Sequence, residues 1–138
     1  MKLLADSSAL AKRYVLENGS EILDQLLLKT SELAVCIILV PEIISGLNRR
    51  LREKNISAYE YSRLKKQLMN DMYDATVLHL TPSVIAGAVM LLETNALRAM
   101  DALHVACALE WQAEVFATAD KRQLQAATNA GLRTEFVG

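Results

Sequence analysis

Short runs that are apolar at nearly every position alternate along this chain with longer segments whose apolar residues recur at helical spacing. The runs at residues 2–5 and 115–118 are the clearest, and further strands are expected at 34–38, 76–80 and 134–137. A strand that is apolar on both sides must be covered on both sides, which is typical of parallel sheets between helices. The alternation therefore predicts an α/β fold with a central, mostly parallel sheet of four to five strands.

Capping residues mark where several of the intervening helices begin. Ser7 or Ser8 can cap a helix that starts near Ala9, and Ser57 with Glu60 forms a capping box for a long helix. Further helices are expected over residues 20–29, 41–53, 82–94, 99–112 and 121–130. No linker, repeat or low-complexity segment interrupts the pattern, so a single domain over residues 1–138 is the simplest organisation.

Charge and cysteine placement limit the classes of protein that this chain can belong to. The net charge of −1 gives no overall attraction for nucleic acid or an anionic membrane, so a polyanion would have to be held by local basic clusters. Cys36 and Cys107 lie in apolar runs without zinc-ligand spacing, which favours buried, reduced thiols over a zinc site or a disulfide. The chain has no signal-peptide pattern and no apolar run long enough to span a membrane, so we expect a cytoplasmic protein.

Four carboxylates, those of Asp6, Glu42, Asp101 and Asp120, stand inside or at the edge of apolar stretches. Burying an unpaired carboxylate costs several kcal/mol, and four that converge would also repel one another. Asp6 and Asp120 follow predicted strands directly, and ligands of parallel sheets bind at the carboxyl ends of the strands. A divalent cation offsets the cost, so the pattern predicts a Mg²⁺ or Mn²⁺ site with these four acids, of the kind used in nucleases.

Each of these acids also has an ordinary structural explanation. Asp120 can cap the helix that follows it, Glu42 and Asp101 can be first-turn acids favoured by the helix dipole, and Asp6 can be a turn residue. His104 lies one helical turn after Asp101 and either faces the site or packs in the core as a neutral, hydrogen-bonded histidine. For His104 we favour the role of a neutral core residue. For the four acids we favour a shared site, because all four are expected at the same edge of the sheet.

The segments around the four acids, taken in order, resemble the PIN-domain family, and most of all the VapC-type toxins of bacterial and archaeal toxin–antitoxin pairs. The ordered set is specific although no single segment is, and residues 54–90 match only as helices. The matching segments are Leu4–Leu10, Pro41–Ile43, Leu97–Ala106 and Phe116–Lys121, with the closing Ala126–Ala127 and Ala130–Leu132. The resemblance implies a three-layer α/β/α sandwich and a Mg²⁺- or Mn²⁺-dependent endoribonuclease whose catalytic, metal-binding residues are the four acids named above.

The resemblance also implies roles for residues near these acids and for partner molecules. Ser7, Ser8 and Thr118 become hydroxyls that orient a carboxylate or a water molecule. Some relatives carry a further acidic or amide side chain shortly after the last Asp, where Gln123 and Leu124 stand here. An RNA substrate, a cognate antitoxin whose tail fills a groove, and a homodimer of the toxin are all implied. Contacts with RNA phosphates are expected from the basic neighbours of the acids, which are Lys12, Arg13, Arg49, Arg98 and Lys121.

Three other functions compete with this interpretation. A phosphatase of the haloacid dehalogenase type would carry a second Asp two residues after Asp6, and Ser8 stands there. A receiver-like regulatory domain would carry an acidic pair after its first strand, which this chain lacks. A non-catalytic PIN-like module that binds RNA or protein would be expected to have lost some of the acids, and all four are present. An endoribonuclease is therefore the favoured hypothesis.

Overall fold

The computed structural model describes all 138 residues and contains a five-stranded, wholly parallel sheet. The strands are β1 (Lys2–Ala5), β2 (Glu32–Cys36), β3 (Thr76–Leu78), β4 (Val115–Thr118) and β5 (Arg133–Phe136). They lie in the order β3-β2-β1-β4-β5, with β1 in the centre. In register, Leu4 of β1 is opposite Ala34 of β2 and Phe116 of β4. The predicted parallel sheet is confirmed, and its central strand is the one that ends at Asp6.

Helices cover both faces of this sheet. They are α1 (Ser7–Leu10) with a following 3₁₀ turn (Ala11–Arg13), α2 (Ser20–Leu28), α3 (Leu39–Arg52), α4 (Ala58–Asp74), α5 (Pro82–Thr94), α6 (Ala99–Trp111) and α7 (Lys121–Asn129). Leu3 and Ala5 of β1 pack in one core with residues of α1 to α4. Leu4 packs in a second core with residues of α5, α6 and α7. The three-layer α/β/α sandwich is thereby confirmed, and none of its helices is long and apolar enough to cross a membrane.

Several element boundaries differ from the sequence-based expectations. β2 begins at Glu32 and ends at Cys36, and β3 ends at Leu78, before its expected end. Helix α3 begins at Leu39, which leaves Pro41 inside its first turn. That position tolerates proline because the first backbone N–H groups of a helix have no acceptor within the helix.

The first helix is capped by Asp6 rather than by Ser7 or Ser8. Helix α1 begins at Ser7, and the Asp6 side chain accepts a hydrogen bond from the backbone N–H of Ala9. Since β1 and β4 are adjacent and parallel, the chain leaves both at the same sheet edge, into α1 and α7 respectively. The fold therefore places Asp6 and the residues after Thr118 side by side, at the edge where parallel sheets bind ligands.

Candidate active site

Asp6 is completely buried at the carboxyl end of the central strand. Its Oδ1 accepts hydrogen bonds from Ser8 Oγ and from the backbone N–H of Ala9, both at 2.8 Å. Its Oδ2 accepts a hydrogen bond from Thr118 Oγ1 at 2.6 Å. Burial raises the pKa of the Asp6 carboxyl, although these donors and the nearby His104 act in the opposite direction. A carboxylate held at this cost of desolvation is typical of a functional group.

Two hydroxyl groups tie Asp6 to the segment that follows β4. Thr118 Oγ1 donates to Asp6 and accepts a hydrogen bond from the Asp120 backbone N–H at 2.9 Å. Ser8 Oγ likewise donates to Asp6 and accepts one from the Ala119 backbone N–H at 2.9 Å. Both hydroxyls therefore have their donor and acceptor functions committed, which fixes the orientation of the Asp6 carboxylate relative to Asp120.

Glu42 lies in the first turn of α3 and is held by two side chains from other helices. Its Oε1 accepts a hydrogen bond from Ser7 Oγ at 2.7 Å and lies 2.6 Å from His104 Nε2. Burial works against ionisation of Glu42, but the hydrogen bonds from His104 and Ser7 outweigh it and lower the pKa of this carboxyl. Ser7 and Ser8 thus serve different acids: Ser7 contacts Glu42, and Ser8 contacts Asp6.

His104 is buried, as expected, but its ring is directed at the acids. Burial alone would lower the pKa of His104, yet the hydrogen bond to Glu42 and the charges of Asp6 and Glu42 raise it. The expectation of a buried, hydrogen-bonded histidine is met, with Glu42 as the hydrogen-bond partner, and that the ring is neutral stays a prediction. Its Nδ1 is buried and has no hydrogen-bond partner. The sequence gives no sign of this contact, since it joins residues 62 positions apart.

Asp101 and Asp120 meet where the first turns of α6 and α7 come together. Asp120 caps α7, and its Oδ1 accepts hydrogen bonds from the backbone N–H groups of Arg122 and Gln123 at 2.8 and 3.1 Å. Gln123 also donates from Nε2 to Asp101 Oδ1 at 3.0 Å. Burial, followed by the negative charges of Asp120 and Glu42, raises the pKa of the Asp101 carboxyl. The capping explanation of Asp120 is therefore correct and compatible with a place beside Asp101.

A divalent cation shared by the four acids would need several of their side chains to converge on one point. As placed, no group of three or more His, Cys, Asp or Glu side chains could hold a metal ion together. Each carboxylate instead accepts hydrogen bonds from the chain. The chemistry of the set still suits Mg²⁺ or Mn²⁺, because all donors are oxygens and a cation would relieve the repulsion at Asp101. Mg²⁺ usually takes only one or two carboxylates directly and keeps several water molecules.

The basic residues named from the sequence fall into two groups. Lys12 is buried and donates to the backbone carbonyl of Asn18, with Glu17 at 3.5 Å. Arg13 makes two hydrogen bonds to Asp71, at 2.8 and 3.1 Å. These two cations are used within the fold and are not carried into the proposed RNA contacts.

The other three basic residues line cavities that the acids also line. Arg98 and Lys121 face a cavity of about 360 Å³ together with Asp101, Asp120 and Arg122. Arg49 lines a cavity of about 400 Å³ together with Glu42. Arg122 was missed in the sequence because nothing there shows which side of α7 faces the acids.

Comparison with known proteins agrees with the observed fold. A family model described as PIN domain matches residues 3–129, and no curated protein matches the sequence. FitAcB from Neisseria gonorrhoeae has a TM-score of 0.73 at 16% identity, over 96% of this chain and 95% of that chain. VapC20 of Mycobacterium tuberculosis, described as a toxin that cleaves the sarcin–ricin loop, has a TM-score of 0.70 at 15% identity, over 94% and 95%. A toxin–antitoxin complex from Klebsiella pneumoniae has a TM-score of 0.68 at 15% identity, over 88% and 89%. At these identities the likeness to the solved structures is one of fold.

Proposed function

Because this chain belongs to the PIN domain family, we propose that it is a metal-dependent endoribonuclease that hydrolyses RNA phosphodiester bonds. The observation that carries the proposal is the position of the four acids, each of which caps a helix or lies in its first turn, in α1, α3, α6 and α7. Burial, followed by repulsion from Asp120 and to a smaller extent from Glu42, raises the pKa of the Asp101 carboxyl. We further propose that residues 1–138 form one nuclease domain and that the enzyme works in the cytoplasm.

In this proposal Asp6, Glu42, Asp101 and Asp120 would hold Mg²⁺ or Mn²⁺. A bound dication makes water easier to deprotonate and stabilises charge on the phosphoryl oxygens. Oriented hydrogen bonds from neighbouring side chains improve the binding and activity of such acids. Here Ser8 and Thr118 hold Asp6, Ser7 and His104 hold Glu42, and Gln123 holds Asp101. Arg49, Arg98 and Lys121 are the proposed phosphate contacts.

Cleavage of single-stranded RNA by the purified protein tests the proposed function. With Mg²⁺ or Mn²⁺ present, and any antitoxin removed, we expect internal cuts that yield defined fragments on a sequencing gel. A chelator such as EDTA should stop the reaction, because the carboxylates alone cannot stabilise the reacting phosphate. Absence of cutting with either ion, or equal cutting in EDTA, would contradict the proposal and favour a non-catalytic module that binds RNA or protein.

A role as the toxin of a toxin–antitoxin pair is proposed on the fold likeness to toxins of such pairs. A cavity of about 630 Å³ beside Glu42 offers room for part of a cognate antitoxin. Its lining includes the apolar Val15, Ile43 and Leu47 together with charged residues of both signs, which are Arg49, Arg50, Glu17, Glu42 and Glu53. The apolar part of this lining suits the apolar face of an amphipathic segment.

A homodimer is proposed on the exposed apolar stripe of α5. Ile85, Val89 and Leu92 recur at helical spacing and are 45%, 50% and 39% exposed, while α5 buries Val84 and Leu91 against the core. A stripe of this kind marks an interaction surface more often than a solvated face.

Val89→Glu is therefore expected to convert the dimer to a monomer, because it places a charge in the centre of the apolar stripe. Light scattering after size-exclusion chromatography measures the change as a halving of molar mass. Ile22→Glu is the matched control, since Ile22 is 50% exposed on α2, and it should leave the molar mass unchanged. A wild-type protein that is already monomeric at micromolar concentration, or a Val89→Glu protein that remains dimeric, would contradict the assignment.

A further inference from the structure

Another hollow lies beside Glu42. It shares Glu42, Gly46 and Arg49 with the cavity of about 630 Å³ and no residue with the cavity lined by Asp101 and Asp120. It has a volume of about 400 Å³, and Glu42 forms part of its wall. Its other lining residues are Ile38, Pro41, Ser45, Gly46, Arg49 and Met100. The volume lies within the range of ligand-binding pockets, about 300–1,000 Å³. A molecule in this hollow, here called the α3 hollow, would therefore lie directly beside a proposed catalytic acid.

Gly46 is one of the lining residues of the α3 hollow. It lies in the interior of α3, where glycine is less stable than alanine. A Cβ atom added at Gly46 would meet no other atom within 4 Å. No contact within the chain therefore requires a glycine here, and a side chain at this position would extend into the open space of the hollow.

The walls of the α3 hollow combine apolar surface with one available cation. Met100 is 51% exposed although it precedes Asp101 directly, and Ile38 and Pro41 lie in the same wall. Arg49 makes no ion pair, whereas its neighbour Arg50 approaches Glu17 at 3.8 Å. An exposed methionine is an adaptable apolar surface, and an unpaired guanidinium is suited to phosphate or to the edge or face of a base.

The cavity on the opposite side of the acids has a different character. It is lined by Arg98, Asp101, Asp120, Lys121 and Arg122 and has no apolar wall. That composition suits the phosphate backbone alone, whereas the α3 hollow offers both apolar surface and charge. The two cavities therefore differ in chemistry. An RNA strand bound across the four acids would contact phosphate-binding groups in one cavity and apolar surface in the other.

We infer that the α3 hollow is a nucleobase subsite that determines where the RNA is cut. It accepts one unstacked base next to the scissile phosphate, with the base against Met100 and Pro41 and with Arg49 on the adjoining phosphate. The Ser45 hydroxyl lies in the same wall and can hydrogen-bond the base edge. This inference rests on the proposed endoribonuclease function, and it names the part of the site that selects the cleavage position. A base inside a duplex stays stacked and cannot enter, so the subsite requires an unpaired nucleotide.

The test is to sequence the ends produced from a pool of random single-stranded RNA by wild type, Gly46→Ala and Met100→Ala. One methylene group more or less in an apolar pocket changes discrimination by about tenfold or more. Gly46→Ala adds a methyl group to the hollow and Met100→Ala removes apolar surface from it, so the base preference next to the cut should fall by that factor in both variants. Gly87→Ala on α5 and Met90→Ala, which is 69% exposed on the same helix, are the matched controls and should keep the wild-type preference. The melting temperature of Gly46→Ala should equal or exceed that of wild type, because alanine favours the helix.

Three outcomes would overturn the nucleobase subsite while the endoribonuclease function stands. The wild-type enzyme could cut without base preference, or the two variants could cut with the wild-type preference. The variants could also lose only their affinity for a co-expressed antitoxin, which would make the α3 hollow a protein contact. A Gly46→Ala protein with altered preference but a lowered melting temperature would mark a structural role, and Met100→Ala then decides between the two. A wild-type protein that cuts no RNA would remove both the proposed function and this inference.

Discussion

Asp6→Asn is expected to reduce RNA cleavage by at least about 10²-fold, because even the residues that orient a metal-binding carboxylate are worth about 10–100-fold. The same substitution should leave the protein without metal at least as stable as wild type at neutral pH. Asp6 is fully buried, and burial raises the pKa of its carboxyl, so the charged form is the costly one. An asparagine removes the charge and keeps one oxygen for the Ser8 and Ala9 donors, while its Nδ2 can donate to Thr118 Oγ1 at the position where the carboxylate accepts from it.

Initial cleavage rates and thermal unfolding of Asp6→Asn, measured on the same preparation, check this result. Asp24→Asn, the same chemical change on the exposed side of α2, is the control and should match wild type in both measurements. Cleavage at the wild-type rate by Asp6→Asn would point to a contaminating nuclease. A loss of cleavage that accompanies unfolding would instead make Asp6 a structural cap of α1.

Asp101→Asn is expected to abolish cleavage and to leave the free energy of unfolding of the metal-free protein unchanged or higher. Asparagine retains an oxygen that can accept the hydrogen bond from Gln123, and the substitution removes the repulsion from Asp120 and Glu42. The gain should be at most about 1 kcal/mol, the interaction of two unit charges about 4 Å apart in water. Denaturant unfolding in EDTA measures it.

The difference in unfolding free energy between wild type and Asp101→Asn depends on pH, and the direction of the Asp101 pKa shift determines its sign. The pKa of Asp101 lies above its ordinary value of 3.8 in the folded protein, so the folded state holds the proton more tightly than the unfolded state. Wild type therefore loses stability as the pH rises from about 4 through the folded pKa, and Asp101→Asn lacks that loss. The two unfolding free energies should agree at low pH and separate above it. A loss of several kcal/mol in the variant would identify Asp101 as a structural acceptor for Gln123.

The sequence was informative wherever local pattern determines structure. The apolar runs before Asp6 and Asp120 predicted β1 and β4, and Ser57 with Glu60 predicted the start of α4, where both capping bonds form. Because β1 and β4 are adjacent and parallel, the two acids that follow them arrive at one edge of the sheet. The fold class, and the expectation that Asp6 and Asp120 lie at the same sheet edge, could thus be predicted from the spacing of apolar residues and from the positions where the strands end.

The sequence was uninformative wherever a partner comes from a distant element. Lys12 and Arg13 looked like phosphate contacts because they follow Asp6 closely, yet Glu17, Asn18 and Asp71 engage them. His104 pairs with Glu42 only because α6 and α3 approach the sheet edge from opposite faces. The direction of a side chain where two helices come into contact depends on how the helices pack against the sheet, and the spacing of apolar residues does not specify that packing.

The polar contacts of the site divide into those that one helix makes for itself and those that join two layers. Asp120 caps α7 through backbone N–H groups close in sequence, which any capping residue could do. The bond from Gln123 to Asp101 instead joins α7 to α6, and the bond from His104 to Glu42 joins α6 to α3. Only the second kind fixes the position of an acid relative to another helix.

The position of bound Mn²⁺ tests most directly whether these acids form a metal centre. Crystals of the protein soaked in Mn²⁺ would give an anomalous difference peak at the ion. The expected result is a peak at the carboxyl edge of the sheet, contacted by oxygens of Asp6, Glu42, Asp101 or Asp120 and absent in Asp101→Asn crystals. A peak elsewhere, or a wild-type crystal that binds no Mn²⁺ at this edge at millimolar concentration, would contradict it.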